Sequence, residues 1–275
     1  MTVQDLAENQ TDDANFEQSW REWHSAHQKV LADPHGFLAI TSLRWLVSEP
    51  KRFDDAPGEW STGQDGVRVV LAEGETLEFN GATLRGEHNF GPIAERDSLY
   101  PVSGDVVIEV AKRGGHDIIR PRHPSNPLLV RFVDTPAYAP DPRWAVTGRY
   151  LPFDEPRPTT VGAAVEGLQH VYDAPGRIEF ELEGQPLSLT AFNGKGAGSL
   201  LVLFTDATSG VTTYAANRAL AIDPPDADGR VRLDFNRATN LPCAYTDLAT
   251  CPLPPAENQL PVAVEAGEKI PHERR

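Results

Sequence analysis

The sequence predicts a mainly β protein, an antiparallel β-sandwich or barrel-like fold with an N-terminal amphipathic helix and a proline-rich irregular C-terminal segment. After Pro50, short runs rich in β-branched residues are separated by turn dipeptides that favour positive φ. Helical periodicity is confined to the start of the chain. The 22 glycines and 24 prolines among 275 residues agree with this, since frequent turns accompany many short strands.

The N-terminal region is predicted to be a polar tail followed by one helix. Residues 1–12 are polar and are expected to be disordered. From about residue 13 to 32, apolar and aromatic side chains recur at steps of three and four, and Asp33-Pro34 ends the pattern. The apolar run from Phe37 to Val47 fits helix and strand equally, but it is expected to be buried. Residues 13–50 should therefore pack on the body of the fold.

The remaining residues, 51–275, are predicted to form one large β domain. Turn signals such as Asn80-Gly81 and Gly114-Gly115 suit tight hairpins. A subdivision of this domain would fall in the proline-rich stretch between residues 121 and 158. The predicted strands span residues 67–72, 76–79, 83–85, 105–111, 117–120, 128–133, 144–151, 176–182, 186–192, 199–204, 212–222 and 231–235.

The net charge of −15 argues against nucleic acid or an anionic membrane as a partner, because both attract a positive surface field. Basic side chains nevertheless outnumber acidic ones between residues 112 and 157. A local basic region of this kind predicts a small anionic ligand. The sequence does not indicate an oligomeric state.

A cytoplasmic location is expected from the start of the chain and from its hydropathy. The residues after Met1 lack the basic and apolar regions of an export signal, and no apolar run is long enough to span a membrane. In that compartment Cys243 and Cys251 are predicted to be two thiols rather than a structural disulfide.

The segment from Asp234 to Pro255 concentrates candidate site residues among prolines. Cys243 is a candidate nucleophile, although its apolar neighbours also suit an inert, buried thiol. Asp234 is a candidate general acid or base. The polar side chains of Asn236, Arg237 and Asn240 could bind a ligand, or could tie down a turn by hydrogen bonds.

Five further residues complete the predicted site. His123 is a candidate acid or base because it lies in the basic region and an imidazole can in general gain or lose a proton near neutral pH. Arg120 and Arg122, beside it in sequence, would supply counter-charge to an anion. Tyr214 and Arg218 are expected to project from a strand near the C-terminal segment.

Other patterns suggest neither a cofactor nor a metal. The loop from Asn193 to Ser199 lacks the spacing of a phosphate-binding loop and is predicted to connect a hairpin. His24 and His27 share a helix face with Trp20 and Trp23. Packing against the core explains them better than a metal site does.

Several of these motifs resemble the DUF1684 family. Upstream, Gly36–Leu46 is similar to the entry motif of that family, and Ile119–Arg122 and Arg149–Pro152 are similar to its central part. The resemblance implies a bacterial or archaeal protein of a family named for its lack of known function, and it supplies no reaction. The C-terminal motifs that carry it are Phe204–Tyr214, Arg218-x-Leu220, Asp234–Ala244, Ala249–Pro255, Asn258 and Ala266–Lys269.

The central part departs from the family pattern at one position. Family members have Arg-x-Arg-Asp where this chain has Arg120-Pro-Arg122-His123. A histidine therefore replaces an acidic partner, which places any role of that position in doubt.

Two functions fit these observations. In the first, an enzyme or ligand-responsive protein binds or turns over a small anionic molecule in a pocket formed by the C-terminal motif and the central arginine-rich stretch. In the second, the protein is a non-catalytic binding or interaction module. The same Arg and Asp residues would then form ion pairs that hold the proline-rich tail on the sheet.

Overall fold

The computed structural model describes residues 3–274, with the side chains of the first helix described from Ala14 onward. Its contacts divide the chain into two compact units. The central unit comprises Val30–Val133 and Leu248–Thr250. The C-terminal unit comprises the residues up to Lys29, Asp134–Asp247 and the residues from Cys251 on. The single large β domain predicted for residues 51–275 stays a prediction.

Helix α1 spans Val3–Leu31, so its assigned start precedes the predicted residue 13. The disorder expected for residues 1–12 stays a prediction, because Met1 and Thr2 lie outside the described residues and only the backbone of the others is described. In the C-terminal unit, the indole Nε1 of Trp20 donates to the carbonyl of Asn236 at 2.8 Å. This bond fixes α1 against the C-terminal motif.

The central unit contains two antiparallel sheets. One has the order β1-β11-β10-β9-β5-β6, with β8 also paired to β10, and the other has the order β2-β3-β4-β7. The strands are β1 (Arg44–Trp45), β2 (Lys51–Phe53), β3 (Ala56–Gly63), β4 (Gly66–Val70), β5 (Leu77–Phe79), β6 (Ala82–Leu84), β7 (Glu87–Gly91), β8 (Ser98–Leu99), β9 (Val102–Ser103), β10 (Val106–Arg113) and β11 (His116–Arg122).

The C-terminal unit contains one antiparallel sheet of six strands, in the order β16-β15-β14-β13-β12-β17. After β17 the chain makes a 3-10 turn at Phe235–Arg237, and Thr239 then pairs with Ala219 on the edge strand β16. This return curls the sheet into a half-barrel. The strands are β12 (Ala145–Gly162), β13 (Gln169–Leu182), β14 (Gln185–Asn193), β15 (Leu200–Phe204), β16 (Arg218–Ile222) and β17 (Arg230–Asp234).

Each unit has its own apolar core. Trp60, Val69 and Ile108 are fully buried in the central unit. Leu189 and Phe235 are fully buried in the C-terminal unit, between the sheet and the segment that follows it. Burying such side chains contributes roughly 1.5–3 kcal/mol each, which is ample to order both units.

The predicted fold class is confirmed: the protein is mainly β and antiparallel, with an N-terminal helix and an irregular C-terminal segment that contains only short 3-10 turns. The hairpins predicted at Asn80-Gly81 and Gly114-Gly115 are also present. All four residues have positive φ, as a two-residue hairpin turn requires.

Two predicted strands were wrong, wholly or in part. Residues 128–131 belong instead to a short helix, α2 (Pro127–Arg131), and residues 132–133 follow it outside any strand, because Pro127 occupies a first-turn position where its fixed φ starts a helix. The predicted strand 212–222 is β16 only from Arg218 onward. Tyr214 therefore lies in a loop, contrary to expectation.

Candidate functional site

A groove in the C-terminal unit runs between α1 and the sheet. Its volume is about 810 Å³, which lies within the range of roughly 300–1,000 Å³ typical of small-molecule sites. We call it the helix groove. Its lining includes Phe16, Ser19, Trp23 and His27 from α1, Asp223 and Arg232 from the sheet side, and Asp234, Arg237 and Thr239 from the C-terminal motif.

The periodicity of α1 explains its contribution to this groove. Phe16, Ser19, Trp23 and His27 recur at steps of three and four, so they lie on one face of the helix. The rings of Trp23 and His27 stack, with parallel planes and centroids 5.6 Å apart. The helix thus presents two aromatic surfaces and one imidazole to the groove.

His27 lies beside a buried carboxylate. Its Nε2 is 3.1 Å from Oε1 of Glu268, whose side chain is only 1% exposed, but the two atoms are not aligned for a hydrogen bond. The other carboxylate oxygen, Oε2, accepts a hydrogen bond of 2.6 Å from the backbone N–H of Asn240. An imidazole beside a fixed carboxylate can take part in proton transfer.

Arg237 is the arginine of the motif that reaches the groove. Its guanidinium lies over the Trp23 ring at 5.6 Å, and its Nη2 donates to Oγ of Ser19 at 3.1 Å. Its Nε lies 3.5 Å from Oδ2 of Asp234 but is not aligned for a hydrogen bond. Several of its N–H groups can therefore still bind a ligand.

Asp234 has a local structural role as well as a place on the groove wall. Its Oδ1 accepts from the backbone N–H of Asn236 at 3.2 Å, which caps the 3-10 turn after β17. The same oxygen accepts from Nδ2 of Asn236 at 2.9 Å. The remaining oxygen, Oδ2, faces Arg237.

Arg218 does not reach solvent. Its side chain is 1% exposed, and it pairs with Asp206, whose side chain is fully buried, at 2.7 Å. It also donates to the carbonyls of Val264 and Ala266 and lies over the Phe204 ring. Burial lowers the pKa of this guanidinium, and Asp206 opposes that shift. The pair ties the C-terminal tail to the loop after β15.

Asn236 and Asn240 are also used internally. Asn236 is 1% exposed, accepts from the backbone N–H of Asp141 and donates to its carbonyl, both at 2.9 Å. Asn240 is 6% exposed and donates through Nδ2 to the carbonyl of Lys269 at 2.8 Å. These amides join segments that are distant in sequence.

Tyr214 and Cys243 contact each other away from the groove lining. Burial raises the pKa of the Tyr214 phenol to about 12, assisted by the neighbouring Cys243. The Cys243 side chain is buried. Hydrogen bonding to Cys251 lowers the pKa of the Cys243 thiol, against the effect of burial.

The predicted residues of the arginine-rich stretch lie in the central unit, on or next to β11. Arg120 makes two hydrogen bonds to Glu109, of 2.9 and 2.6 Å, and Arg122 also pairs with that carboxylate. Burial alone would raise the pKa of Glu109, but Arg120 and Arg122 outweigh burial and hold it at about 2. These arginines are thus engaged by one buried carboxylate.

His123 lies apart from the Glu109 carboxylate and its two arginines. Its Nδ1 accepts a hydrogen bond from the backbone N–H of Ser125 at 3.0 Å. It lines a separate cavity of about 570 Å³ in the central unit, beside Asp55 and Glu75. These carboxylates would repel the anionic ligand that the predicted site should bind.

Of the ten predicted site residues, the helix groove brings together Asp234 and Arg237. Arg218, Asn236 and Asn240 lie behind it in the same unit, as internal supports. Sequence reasoning assigned no site role to His27, Glu268 and Arg232. His27 could have been found from its spacing to Trp23 on one helix face, and Glu268 from its place in the Ala266–Lys269 motif.

The described residues contain neither a metal-binding cluster nor a membrane-spanning helix. Among the residues that the structure describes, no three His, Cys, Asp or Glu side chains converge as they would around a metal ion. No helix in the described part of the chain is long and apolar enough to cross a membrane.

Comparison with known proteins gives a family but no activity. A family model described as a protein of unknown function (DUF1684) matches residues 130–269, a range that includes the groove residues Arg232, Asp234 and Arg237. No curated protein matches the chain. The entry-like stretch Gly36–Leu46 lies outside the matched residues.

A solved structure adds one relative. The solution NMR structure of an uncharacterised protein from Haloarcula marismortui is 32% identical, and the match covers 50% of this chain and 77% of that one, with a TM-score of 0.42. The chain described here belongs to the DUF1684 family.

Proposed function

We propose that this protein binds a small molecule in the helix groove, with an anionic group of the ligand held by the guanidinium groups of Arg232 and Arg237. The observation that carries the proposal is Arg237 itself. In the described part of the chain its guanidinium makes one hydrogen bond, to Ser19, although it lines a groove of ligand size. An arginine fork with unused donors suits a carboxylate or a phosphate.

The other groove residues narrow the class of ligand. Asp223 and Asp234 line the same groove, so the ligand should also carry hydroxyl or amino groups that donate to carboxylates. The rings of Phe16 and Trp23 offer apolar surface for the rest of the molecule. A small polar metabolite with one anionic end satisfies all three surfaces.

His27 would act on the bound molecule as proton donor or acceptor. It lines the groove, and its Nε2 lies 3.1 Å from Oε1 of Glu268. The other ring nitrogen, Nδ1, would then exchange the proton with the ligand. Arg120 and Arg122 have no part in this proposal, because Glu109 already engages both.

The competing function is a non-catalytic binding or interaction module in which the family motifs are structural. The buried pair Arg218–Asp206 and the internally bonded Asn236 favour this reading for their own positions. They do not account for Arg237, whose side chain is 38% exposed. We therefore assign the buried motif residues a structural role and the motif residues that line the groove a role in ligand binding.

A thermal-shift screen of phosphorylated and carboxylated metabolites tests the proposal, since a ligand that binds the native state raises the melting temperature. At one hundred times the dissociation constant, the stabilisation is about 2.7 kcal/mol. We expect hits that also raise the melting temperature of Arg177→Ala but not that of Arg237→Ala. Arg177 is a suitable control because it forms an exposed pair with Glu179. A broad panel without any hit would refute the anion-binding groove.

We also propose a cytoplasmic location. Cys243 and Cys251 are both thiols in the structure, as expected where thiols are kept reduced. Fractionation of the native host, followed by detection of the protein, would test this location.

A further inference from the structure

Cys243 and Cys251 form a close pair of thiols inside the C-terminal unit. The backbone N–H of Cys243 donates to Sγ of Cys251 at 3.3 Å. The two residues are 2% and 7% exposed. Cys251 also hydrogen-bonds to the Cys243 thiol, so the two sulfurs are neighbours, as a disulfide requires.

The backbone around each cysteine is held in place. Cys243 lies in the 3-10 turn Pro242–Ala244, and Arg274 donates to its carbonyl at 3.2 Å. The carbonyl of Cys251 accepts from the backbone N–H of Ala164 at 2.8 Å. These contacts keep the two sulfurs together, so the pair is a built feature of this unit.

The two thiols have unequal surroundings. Hydrogen bonding to Cys251 lowers the pKa of the Cys243 thiol, with smaller contributions in the same direction from Tyr214 and Arg274, while burial opposes them. We therefore assign the attacking thiolate to Cys243. Tyr214, which hydrogen-bonds to this thiol, is only partly buried.

We propose that Cys243 and Cys251 are a reversible oxidation site that consumes a hydroperoxide and closes an intramolecular disulfide. The Cys243 thiolate attacks the peroxide O–O bond, forming the sulfenic acid and releasing water or an alcohol after protonation. The Cys251 thiol then attacks that sulfur, the S–S bond forms and a second water leaves. Two thiols lose two electrons and two protons, and the peroxide gains them.

This site is independent of the helix groove, because neither cysteine lines the groove. The oxidised pair would close the loop between residues 243 and 251. A thiol such as glutathione, or another dithiol, would reverse the reaction by exchange.

The test uses the full chain under native conditions and hydrogen peroxide as the oxidant. After quenching and denaturation, iodoacetamide counts the remaining thiols by intact mass. We expect both thiols to disappear together, with loss of the mass of two hydrogen atoms, and dithiothreitol to restore both. In Cys251→Ser, dimedone should capture a sulfenic acid on Cys243.

Measurements on the wild-type protein alone can overturn the proposal. Two alkylatable thiols after a peroxide dose that fully oxidises dithiothreitol in the same buffer would refute it. So would oxygen added at Cys243 without a disulfide, or a disulfide that joins two chains on a non-reducing gel. None of these three outcomes depends on whether a cysteine variant folds, and none depends on the proposed ligand of the groove.

Discussion

Arg218 and Arg237 belong to one family motif but have opposite surroundings. Arg218 is buried against Asp206 and three backbone carbonyls, whereas Arg237 stands at the edge of a groove with most of its donors unused. A sequence motif does not distinguish the two cases, because both are arginines near carboxylates. Their surroundings decide whether a substitution should alter stability or binding.

We predict that Arg218→Ala is strongly destabilising. The substitution leaves the Asp206 carboxylate buried without its partner, which costs about 3–5 kcal/mol. Urea unfolding would measure the loss. Arg177→Ala, at an exposed pair, should change stability by no more than about 1 kcal/mol. Equal effects at the two positions would contradict the buried role of Arg218.

We also predict a pH-dependent contribution from Glu109. Its pKa is about 2 in the folded protein against the ordinary 4.5, so the ionised carboxylate stabilises the fold fully above pH 4.5. That contribution, roughly 3 kcal/mol, is lost as the pH falls from 4.5 toward 2. The stability difference between wild type and Glu109→Gln should shrink over this window.

An exposed glutamate provides the control for that experiment. Glu179 pairs with Arg177 at the surface, so Glu179→Gln should show no comparable pH-dependent difference from wild type. A Glu109→Gln difference that stays constant from pH 6 to pH 2 would mean that Glu109 is not held ionised by Arg120 and Arg122.

At the scale of elements, the C-terminal tail depends on one backbone position. Gly267 has φ +75°, and a Cβ there would lie 2.5 Å from the carbonyl oxygen of Ala238. Gly184 has a similar φ of +72°, but its Cβ would meet nothing within 4 Å. Comparing substitutions at Gly267 and Gly184 therefore separates the cost of backbone strain from the cost of steric collision.

We predict that Gly267→Ala destabilises the protein more than Gly184→Ala does. Both substitutions incur the positive-φ penalty of roughly 1–2 kcal/mol. Only Gly267→Ala must also displace the Ala238 backbone, and with it the neighbouring Glu268 that lies against His27. Melting temperatures of the two variants measure the difference, and equal values would contradict the close approach of the tail.

The strands were largely predictable because their signals are local. Turn dipeptides and alternating runs located β4, β5, β6, β10 and β11 to within a few residues. The segment 128–133 was assigned wrongly because its apolar run carries no period, whereas Pro127 determined the local helix. The loop that contains Tyr214 depends on Asp206, whose Oδ1 accepts from both the backbone N–H and the hydroxyl of Thr208.

The groove was only partly predictable, for a different reason. Asp234 and Arg237 could be selected because they are polar residues in a specific motif. His27 comes from a helix more than two hundred residues away in sequence, and Glu268 is brought to it by the tail. Such long-range neighbours leave no periodic trace in a single sequence, so the histidine was interpreted as a packing residue.

At the scale of the whole molecule, the protein is strongly acidic, with a net charge of −15, yet it places two arginines on the wall of one groove. An anionic ligand would be repelled by the general surface and bound by a local guanidinium pair. Binding by such a pair should weaken with salt, since ionic strength screens exposed charges over about 8–10 Å.

The most direct test of this account is the affinity of a ligand from the screen, measured by titration calorimetry on three proteins. Wild type and Arg177→Ala should bind equally. Arg237→Ala should bind about 10- to 100-fold more weakly, as loss of a charge-assisted hydrogen bond of roughly 1.5–3 kcal/mol implies. Unchanged affinity in a folded Arg237→Ala protein would contradict the helix groove as the binding site.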